Sequence, residues 1–261
     1  EKLEVLFDNI GKIENIKILA DKFDAARANG IDVDAEDVIE NVEYLDDVLA
    51  LDDKFQDEEG MLMSLYLNPE KASDVKRLTE EYGKEAGSVF FSLDALDSIE
   101  DLEILFEQDP NQMSKIFANA EKAIQLNDLA IEIEGRGEQL LANIDQLDVI
   151  ENLAFEFDNN VEKMDVVFAN SAKADQLLTL ANELTGKQDD LLENIGQLDV
   201  IEELSNGFQN DIEKMSVVFE HPEKAERLLD LSLDLGGQGD DLLDNIEQLD
   251  VIEDLASEFQ N

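Results

Sequence analysis

The sequence predicts an all-α fold built as a tandem helical repeat, an α-solenoid of 51-residue, three-helix units. The first observation behind this prediction is a recurring segment. LLANI at 140–144 returns as LLENI at 191–195 and as LLDNI at 242–246, with a constant period of 51 residues. The second is helical apolar spacing within each copy, and the third is the recurrence of helix-start and helix-end residues at fixed places. A unit this small buries its apolar faces only by stacking on its neighbours.

The register of the repeat divides the chain into six parts. We expect an atypical partial unit over 1–37, full units over 38–88, 89–139, 140–190 and 191–241, and a partial unit over 242–261. The first part carries Leu6, Ile10 and Phe23 in the order of the later copies, but about 19 residues of a full unit are missing before Phe55. A shortened first unit is typical of a cap at the end of one continuous solenoid.

The first helix of each unit carries a drifting apolar stripe. In the unit from 191 the apolar residues follow mostly three-residue steps, at Leu191, Ile195, Leu198, Ile201, Leu204 and Phe208. Each three-residue step rotates the stripe by about 60° around an α-helix. The helix therefore either contacts different neighbours along its length or breaks between Ile195 and Leu198, and the sequence leaves both alternatives open.

Two shorter helices complete the predicted unit. The second helix begins after Asp109, Asn160 and Asp211, which are favoured N-cap residues. The third helix opens after a second column of cap positions, Asn68, Asn119, Asn170 and His221. It ends at glycines, as a helix that closes with a left-handed residue does, at Gly135, Gly186 and Gly236.

The charge balance excludes whole classes of partner. The chain has 66 acidic and 19 basic residues, a formal net charge of −47. Nucleic acid and anionic membrane surfaces require clustered Lys and Arg, so we expect neither as a partner. With 43% hydrophobic residues the chain can still fill a core, and without Cys it has no disulfide or thiol chemistry. No apolar run is long enough to predict membrane insertion.

Candidate catalytic and metal-binding residues are few. His221 is the single histidine, and its column of asparagines makes it a helix-cap residue. Paired carboxylates carry no information among 66 acids, so we expect no enzymatic activity. Asp32, Asp34 and Glu36 alternate like the start of an EF-hand loop but lack its glycine and final glutamate. We predict no cofactor, with Ca²⁺ bound diffusely or at this irregular acidic site as the alternative.

One column of the repeat places lysines where the helix dipole disfavours positive charge. It lies in the first turn of the third helix, where the helix dipole disfavours positive charge, and consists of Lys71, Lys122, Lys173 and Lys224. We predict an inter-repeat ion-pair ladder, in which each lysine meets carboxylates of its own or the next unit. The alternative is that exposed lysines persist through duplication of the repeat, since isolated surface pairs contribute only about 0–1 kcal/mol.

These features favour a non-enzymatic structural or interaction protein. We expect an acidic rod that associates with itself head to tail into a surface or extracellular structure, and that tolerates or needs salt or divalent cations. The alternative is a solenoid binding module that presents a concave acidic face to a basic protein or peptide. Exposed aromatic residues that differ between copies would favour the binding module. A location outside the cell or at its surface is favoured over the cytoplasm.

Overall fold

A computed structural model describes residues 2–28, 30, 37–56 and 64–259. In these residues every regular element is helical and no strand is present, which confirms the predicted all-α class. The chain forms two compact units. The first comprises Glu1–Ile131 with Gly135–Ile144, and the second comprises Glu132–Glu134 with Asp145–Asn261.

The helices of the first unit are α1 (Lys2–Asp8), α2 (Ile13–Ala28), α3 (Asp37–Glu40), α4 (Leu45–Lys54), α5 (64–67), α6 (Ala72–Tyr82), α7 (Leu96–Leu105), α8 (Pro110–Ala118), α9 (Ala123–Glu132) and α10 (Gly137–Ala142). Short 3₁₀ turns precede several of them, at Ile10–Lys12, Pro69–Lys71, Leu93–Ala95 and Ala120–Lys122, and a longer 3₁₀ segment spans Gly83–Phe91.

The helices of the second unit are α11 (Leu147–Glu156), α12 (Val161–Ala169), α13 (Ala174–Glu183), α14 (Gln188–Glu193), α15 (Leu198–Gly207), α16 (Ile212–Glu220), α17 (Ala225–Asp234), α18 (Gly239–Asp244) and α19 (Leu249–Phe259). Its 3₁₀ turns include Ser171–Lys173, Ile195–Gln197, Pro222–Lys224 and Ile246–Gln248.

The first predicted helix is broken in two, which decides the alternative that the sequence left open. Between α14 and α15 the chain forms the 3₁₀ turn Ile195–Gln197. The side-chain amide of Asn194 donates to the carbonyl of Asp190 at 2.8 Å and closes the end of α14. The break lets α14 and α15 each present one apolar face, so the stripe does not drift around a single helix.

The same broken helix occurs near the N-terminus. Helix α1, the turn Ile10–Lys12 and α2 follow one another as α14, its turn and α15 do. Asn9 donates from its amide to the carbonyl of Val5 at 3.0 Å, as Asn194 does to Asp190. This segment therefore has the same local structure as a later copy, although fewer residues separate it from the next copy in the sequence.

The predicted N-caps of the second helix are confirmed. Asp109 accepts hydrogen bonds from the backbone N–H groups of Asn111 and Gln112, and Asn160 accepts one from Lys163. Asp211 caps α16 in the same way. Each cap follows two consecutive residues with positive φ that are not glycine, namely Glu107 and Gln108, Asp158 and Asn159, and Gln209 and Asn210. These pairs hold left-handed backbone that side chains disfavour.

The asparagines before the third helix act differently from the prediction. The amides of Asn68, Asn119 and Asn170 donate back to carbonyls in the last turn of the preceding helix, at 2.8–2.9 Å. None of these side chains caps the helix that follows. The following segment starts as a 3₁₀ turn, and each amide reaches the carbonyl four residues earlier. This column therefore closes the second helix and does not open the third.

Glycines end the third helix as predicted. Gly135 and Gly186 have φ values of 77° and 88°. In the last copy both Gly236 and Gly237 have positive φ. Such left-handed backbone is available to glycine without the steric penalty that a Cβ atom imposes.

In both compact units, apolar side chains are buried where a first helix of the repeat packs against a third helix. In the second unit α13 packs against α11 and α15, and α17 packs against α15, α18 and α19. Leu153, Leu177 and Leu204 are at most 2% exposed there. In the first unit α4 packs against α2 and α6.

The core of the first unit also holds two carboxylates. Glu103 of α7 is 4% exposed and accepts two bonds from the Arg77 guanidinium, at 2.9 and 3.1 Å, and one from the Tyr82 hydroxyl at 2.9 Å. Asp52 of α4 is 7% exposed and accepts from the Tyr66 hydroxyl at 2.6 Å, with Lys22 also at 2.5 Å.

Burial and these acceptors act on both tyrosines in the same direction. Burial, together with the hydrogen bond to Asp52, raises the pKa of Tyr66 above its usual value. Burial and Glu103 raise the pKa of Tyr82 likewise. Both hydroxyls therefore stay protonated and keep donating to the carboxylates across the neutral range.

Candidate functional site

A face of large apolar side chains lies open on α1, the turn after it and the start of α2. Leu3 is 69% exposed, Phe7 70%, Ile10 63% and Ile13 50%. Leu3 and Phe7 lie one turn apart on α1, Ile10 opens the 3₁₀ turn and Ile13 begins α2. We call these four residues the N-terminal face. Exposed apolar side chains that together form a patch mark sites of association.

Three of these four residues have buried sequence equivalents, while Leu3 corresponds to the polar Gln188. Phe7, Ile10 and Ile13 correspond to Leu192, Ile195 and Leu198 of the second unit, which are 7%, 9% and 0% exposed. The helix that carries Leu192 is covered because α14 packs against α12 and α13. Likewise α18 packs against α16 and α17. In the first unit α1 contacts α3, and the four side chains of the N-terminal face remain exposed.

A second open apolar surface lies on α19. Val251 is 57% and Leu255 47% exposed, and we call these two residues the C-terminal face. Leu255 corresponds to Leu204, which is 2% exposed on α15, where α17 packs.

The two faces lie in segments of very different charge. Residues 1–28 contain five basic and six acidic residues, a net charge of −1. Residues 242–261 contain no basic residue and six acidic ones, a net charge of −6. The N-terminal face therefore belongs to a nearly neutral segment with many cations, and the C-terminal face to a uniformly acidic one.

Lys71 and Lys224 of the predicted ladder contact carboxylates of the following copy. Lys71 Nζ lies 3.7 Å from the Asp97 carboxylate. Lys224 Nζ donates to the Glu247 carboxylate at 2.5 Å, and this bond lowers the pKa of Glu247 below its usual value. Both carboxylates follow the lysine by 23 to 26 residues, just before or at the start of the next first helix.

The other two lysines contact backbone carbonyls of the following copy. Lys122 Nζ donates to the carbonyl of Ile144 at 2.9 Å. Lys173 Nζ donates to the carbonyl of Gly196 at 2.9 Å and lies 3.9 Å from the Asp199 carboxylate. The 3₁₀ turns that break each first helix leave carbonyls available to these cations.

Three further basic residues of the second compact unit pair with acidic residues 23 or 26 positions later in the sequence. Lys163 Nζ donates to Asp189 at 2.5 Å, and Lys214 Nζ donates to Asp240 at 2.6 Å. Arg227 pairs with Asp250 and Glu253. Sequence reasoning missed these pairs, although their common spacing of 23 or 26 residues was available as a signal. Scarce basic residues thus join consecutive copies, while most carboxylates face water.

His221 lies beside acidic residues at the end of α16. Its Nδ1 atom is 3.6 Å from Glu247, the carboxylate that also receives Lys224. The side chain makes no capping hydrogen bond. His221 therefore belongs to the same group of contacts as Lys224.

The proposed calcium residues Asp32, Asp34 and Glu36 lie outside the described residues. Within the described part of the chain, no group of three or more His, Cys, Asp or Glu side chains is arranged to hold a metal ion.

Open clefts in the described part of the chain include the following three. One of about 560 Å³ is lined by Phe208, Lys214 and Asp240, where Lys214 is already paired with Asp240. One of about 640 Å³ lies at the equivalent Phe106. The third, of about 580 Å³, is lined mainly by carboxylates beside Arg227. Carboxylates and engaged cations are the main charged groups that these linings offer to a ligand.

The two most exposed large apolar side chains in the described part of the chain lie elsewhere. Phe155 of the second unit is 81% and Ile104 of the first unit 76% exposed. They occupy one column of the repeat, where the later copies have Asn206 and Ser257. Phe155 is an exposed aromatic residue in a column that differs between copies, which is the feature expected of a binding module.

Comparisons of the chain with protein-family models, with curated proteins and with solved structures found no match. Among the described helices, none has both the length and the apolar character that crossing a membrane requires.

Proposed function

We propose that this chain is a non-enzymatic structural or interaction protein that associates with further copies of itself through the N-terminal face. The exposure of Leu3, Phe7, Ile10 and Ile13 carries this proposal. Burying four large side chains of this kind stabilises an interface by roughly 1.5–3 kcal/mol each before the costs of association. A second copy is the proposed cover for this surface.

The proposal includes the 51-residue sequence unit as the structural unit of a solenoid. Helices begin at Leu45, Leu96, Leu147, Leu198 and Leu249, each 51 residues after the one before. A broken first helix, followed by the second and third helices, makes up the proposed unit. The contacts of Lys71, Lys122, Lys173 and Lys224 with the following copy support the proposed inter-repeat ladder.

The charge supports a protein that depends on ions and works outside the cell or at its surface. Residues 191–241 contain 13 acidic and three basic residues, a net charge of −10. Self-repulsion of this size opposes folding and is screened over about 8 Å at physiological ionic strength. We expect the melting temperature to rise with added NaCl or CaCl₂, compared with chelator at low ionic strength. Identical melting temperatures in all three solutions would contradict the ionic requirement.

Self-association is tested by sedimentation velocity and light scattering over a range of concentrations. The wild-type chain should form species larger than one 29.3 kDa chain, and Phe7→Ser with Ile10→Ser should lower their amount at least tenfold. Ile104→Ser is the matched control, because it removes an equally exposed apolar side chain elsewhere and should leave association unchanged. A wild-type chain that stays monomeric at every concentration would overturn the proposal.

A second candidate function is the binding of a basic protein or peptide. Phe155, 81% exposed in a chain of net charge −47, favours it. A basic peptide with apolar anchors would bind, and Phe155→Ser would weaken that binding while leaving self-association unchanged. Equal affinity for the wild-type and variant chains, measured by fluorescence anisotropy with a labelled Lys- and Leu-rich peptide, would exclude a role for Phe155.

A further inference from the structure

We infer that the cleft at Phe106 binds the ammonium group of a lysine side chain from a partner protein or peptide. The inference is independent of the proposed self-association, and it names one contact that a basic peptide, the second candidate partner, would make. It rests on a comparison between copies of the repeat, because equivalent places of other copies hold an ammonium group of the chain itself.

In three copies a lysine of the chain lies over the phenylalanine of this column. The Nζ atom lies 5.5–5.9 Å from the ring centroid in the pairs Lys84 and Phe55, Lys163 and Phe157, and Lys214 and Phe208. The face of an aromatic ring attracts a cation that lies within about 6 Å of its centroid. This column of the repeat therefore places an ammonium group against its ring again and again.

In two of these copies the same ammonium group also meets a carboxylate. Lys163 donates to Asp189 at 2.5 Å, and Lys214 donates to Asp240 at 2.6 Å. The hydrogen bond to Asp240 and the charge of the nearby cap residue Asp211 raise the pKa of Lys214 above its usual value. The ammonium group is thus held between an aromatic ring on one side and carboxylates on the other.

The copy that contains Phe106 keeps the ring and the carboxylate but has another residue at the lysine position. Gln112 corresponds to Lys214, and Glu138 corresponds to Asp240. In the described part of the chain, no Lys or Arg side chain lies over the Phe106 ring. Because a glutamine amide is neutral and its side chain is shorter than that of lysine, this copy does not supply its own ammonium group.

The lining of the cleft at Phe106 offers negative charge and apolar surface. Its described lining residues include the carboxylates of Glu107, Asp109 and Glu138 and no Lys or Arg. Leu105, which is 46% exposed, also lines it and offers an apolar contact to the methylene groups of a lysine side chain. The cleft measures about 640 Å³, against about 560 Å³ for the equivalent cleft that Lys214 lines.

The burial of the Phe106 ring does not prevent such a contact. Phe106 and Phe208 are each 6% exposed, and the ammonium group of Lys214 still lies over the Phe208 ring. A ring that turns only a small part of its surface to the cleft therefore receives an ammonium group at this place of the repeat.

The neighbouring Arg136 belongs to a different column. Its equivalent Lys187 occurs in the same copy as Lys163 and lies over another ring, that of Phe219, at 5.9 Å from the centroid. Arg136 itself donates to the carbonyl of Gly135 at 3.4 Å. A basic residue in this column therefore accompanies the lysine over the ring and does not replace it.

The test is an NMR titration of the isotope-labelled full-length chain with Nα-acetyl-lysine methylamide. Backbone amide signals of the lining residues, which lie within 105–112 and 135–138, should shift and saturate. Nα-acetyl-norleucine methylamide has the same hydrocarbon side chain without the ammonium group. It should leave these signals unchanged, because the ring and the carboxylates attract the charge.

Three variants separate this cleft from the general attraction of an acidic chain. Gln112→Lys supplies the ammonium group from the chain and should weaken probe binding about tenfold. Asn111→Lys adds the same charge at an exposed neighbour outside the lining and should weaken binding less than about twofold. Lys214→Gln should create a second site, with new shifts around Phe208 and Asp240.

The contrary outcomes are distinct from those of the proposed function. Shifts spread over the whole acidic surface, or equal weakening by Asn111→Lys and Gln112→Lys, would show unspecific attraction and overturn the site. Unchanged signals at the cleft would overturn it as well. Each of these results leaves the proposed self-association standing, because that is judged from the mass of the species that the wild-type chain forms without any probe.

Discussion

The two compact units fill one column of the repeat in different ways. In the first unit the column holds Asp52 and Glu103, both buried and fully engaged by hydrogen bonds. In the second unit the same column holds Ala154 and Ser205, which are 1% and 0% exposed. One position on the first helix therefore accepts either a carboxylate with several donors or a small neutral residue.

The neighbouring columns change together with this one. Arg77 and Tyr82, which hold Glu103, correspond to Thr179 and Leu184 in the second unit. Leu184 is fully buried where Tyr82 donates its hydrogen bond, and Thr179 is exposed where Arg77 forms its ion pair. The carboxylate, the arginine and the tyrosine must therefore be present or absent together. Any one of them without the others would leave a polar group unpaired.

Replacing Arg77 should lower the free energy of unfolding more than any other change proposed here. Arg77→Met leaves Glu103 buried with only the Tyr82 hydroxyl, and an uncompensated buried charge costs about 3–5 kcal/mol. Because the Arg77 side chain is 42% exposed, water can compensate in part, and we expect a loss of about 2 kcal/mol in the free energy of unfolding. Urea denaturation measures this loss. Thr179→Met is the matched control and should change stability by less than about 0.5 kcal/mol. Equal effects of the two changes would contradict the role of the network.

Exchanging the whole set should cost far less than removing one member. Arg77→Thr, Tyr82→Leu and Glu103→Ser together give the first unit the residues of the second. Replacing a complete buried ion pair by neutral side chains is often neutral or stabilising, so we expect a change within about 1 kcal/mol of the wild type. The same urea experiment tests this. A triple variant as unstable as Arg77→Met would show that the two units are not interchangeable at this column.

The left-handed turns allow a prediction in which the two units should behave alike. Gln108 and Gln209 have φ values of 60° and 58°, at the second and the first left-handed position of equivalent turns. Glycine removes the steric cost of a side chain there but adds freedom to the unfolded chain, so each substitution to glycine should stabilise by about 0.5 kcal/mol. Lys115→Gly, within the exposed surface of α8, should instead destabilise by about 1 kcal/mol. Destabilisation by Gln108→Gly or Gln209→Gly would show that those side chains make contacts that outweigh the strain.

The smallest expected effect concerns surface pairs, again one from each unit. Hydrogen bonds from Lys224 and Lys12 lower the pKa of Glu247 and Asp46, respectively. A carboxyl whose pKa is lower in the folded state stabilises the fold above its unfolded pKa, and this contribution is lost as the pH falls through the folded pKa. Lys224→Met and Lys12→Met should each raise the pKa of the partner carboxyl, as measured by NMR titration. A pKa that does not move would show that the pair is absent in solution.

The period of the sequence predicted much of the local structure. The all-α class, the N-caps Asp109, Asn160 and Asp211, and the terminating glycines follow from residue types at short range, and the structure confirms them. The asparagine column was misassigned, because an amide before a 3₁₀ turn can reach either backwards or forwards. Sequence spacing alone does not distinguish these two directions.

The candidate site was predictable only in part. The unusual first unit was visible as a shortened copy, yet the sequence gives the same apolar pattern to Phe7 and to Leu192. Whether such a side chain is covered depends on which helices lie beside it, and α12 and α13 lie beside α14. Exposure is therefore a property of neighbours distant in sequence, which a local pattern does not contain.

By itself, the sequence determined the helices, their caps and the acidic surface, because these follow from contacts within a few residues and from composition. Only the tertiary structure decided that the first helix breaks, that lysines reach carbonyls as well as carboxylates, and that Leu3, Phe7, Ile10 and Ile13 stay open. The physical reason is that burial and hydrogen bonding are satisfied between elements far apart in the chain. Equal patterns can thus have different surroundings.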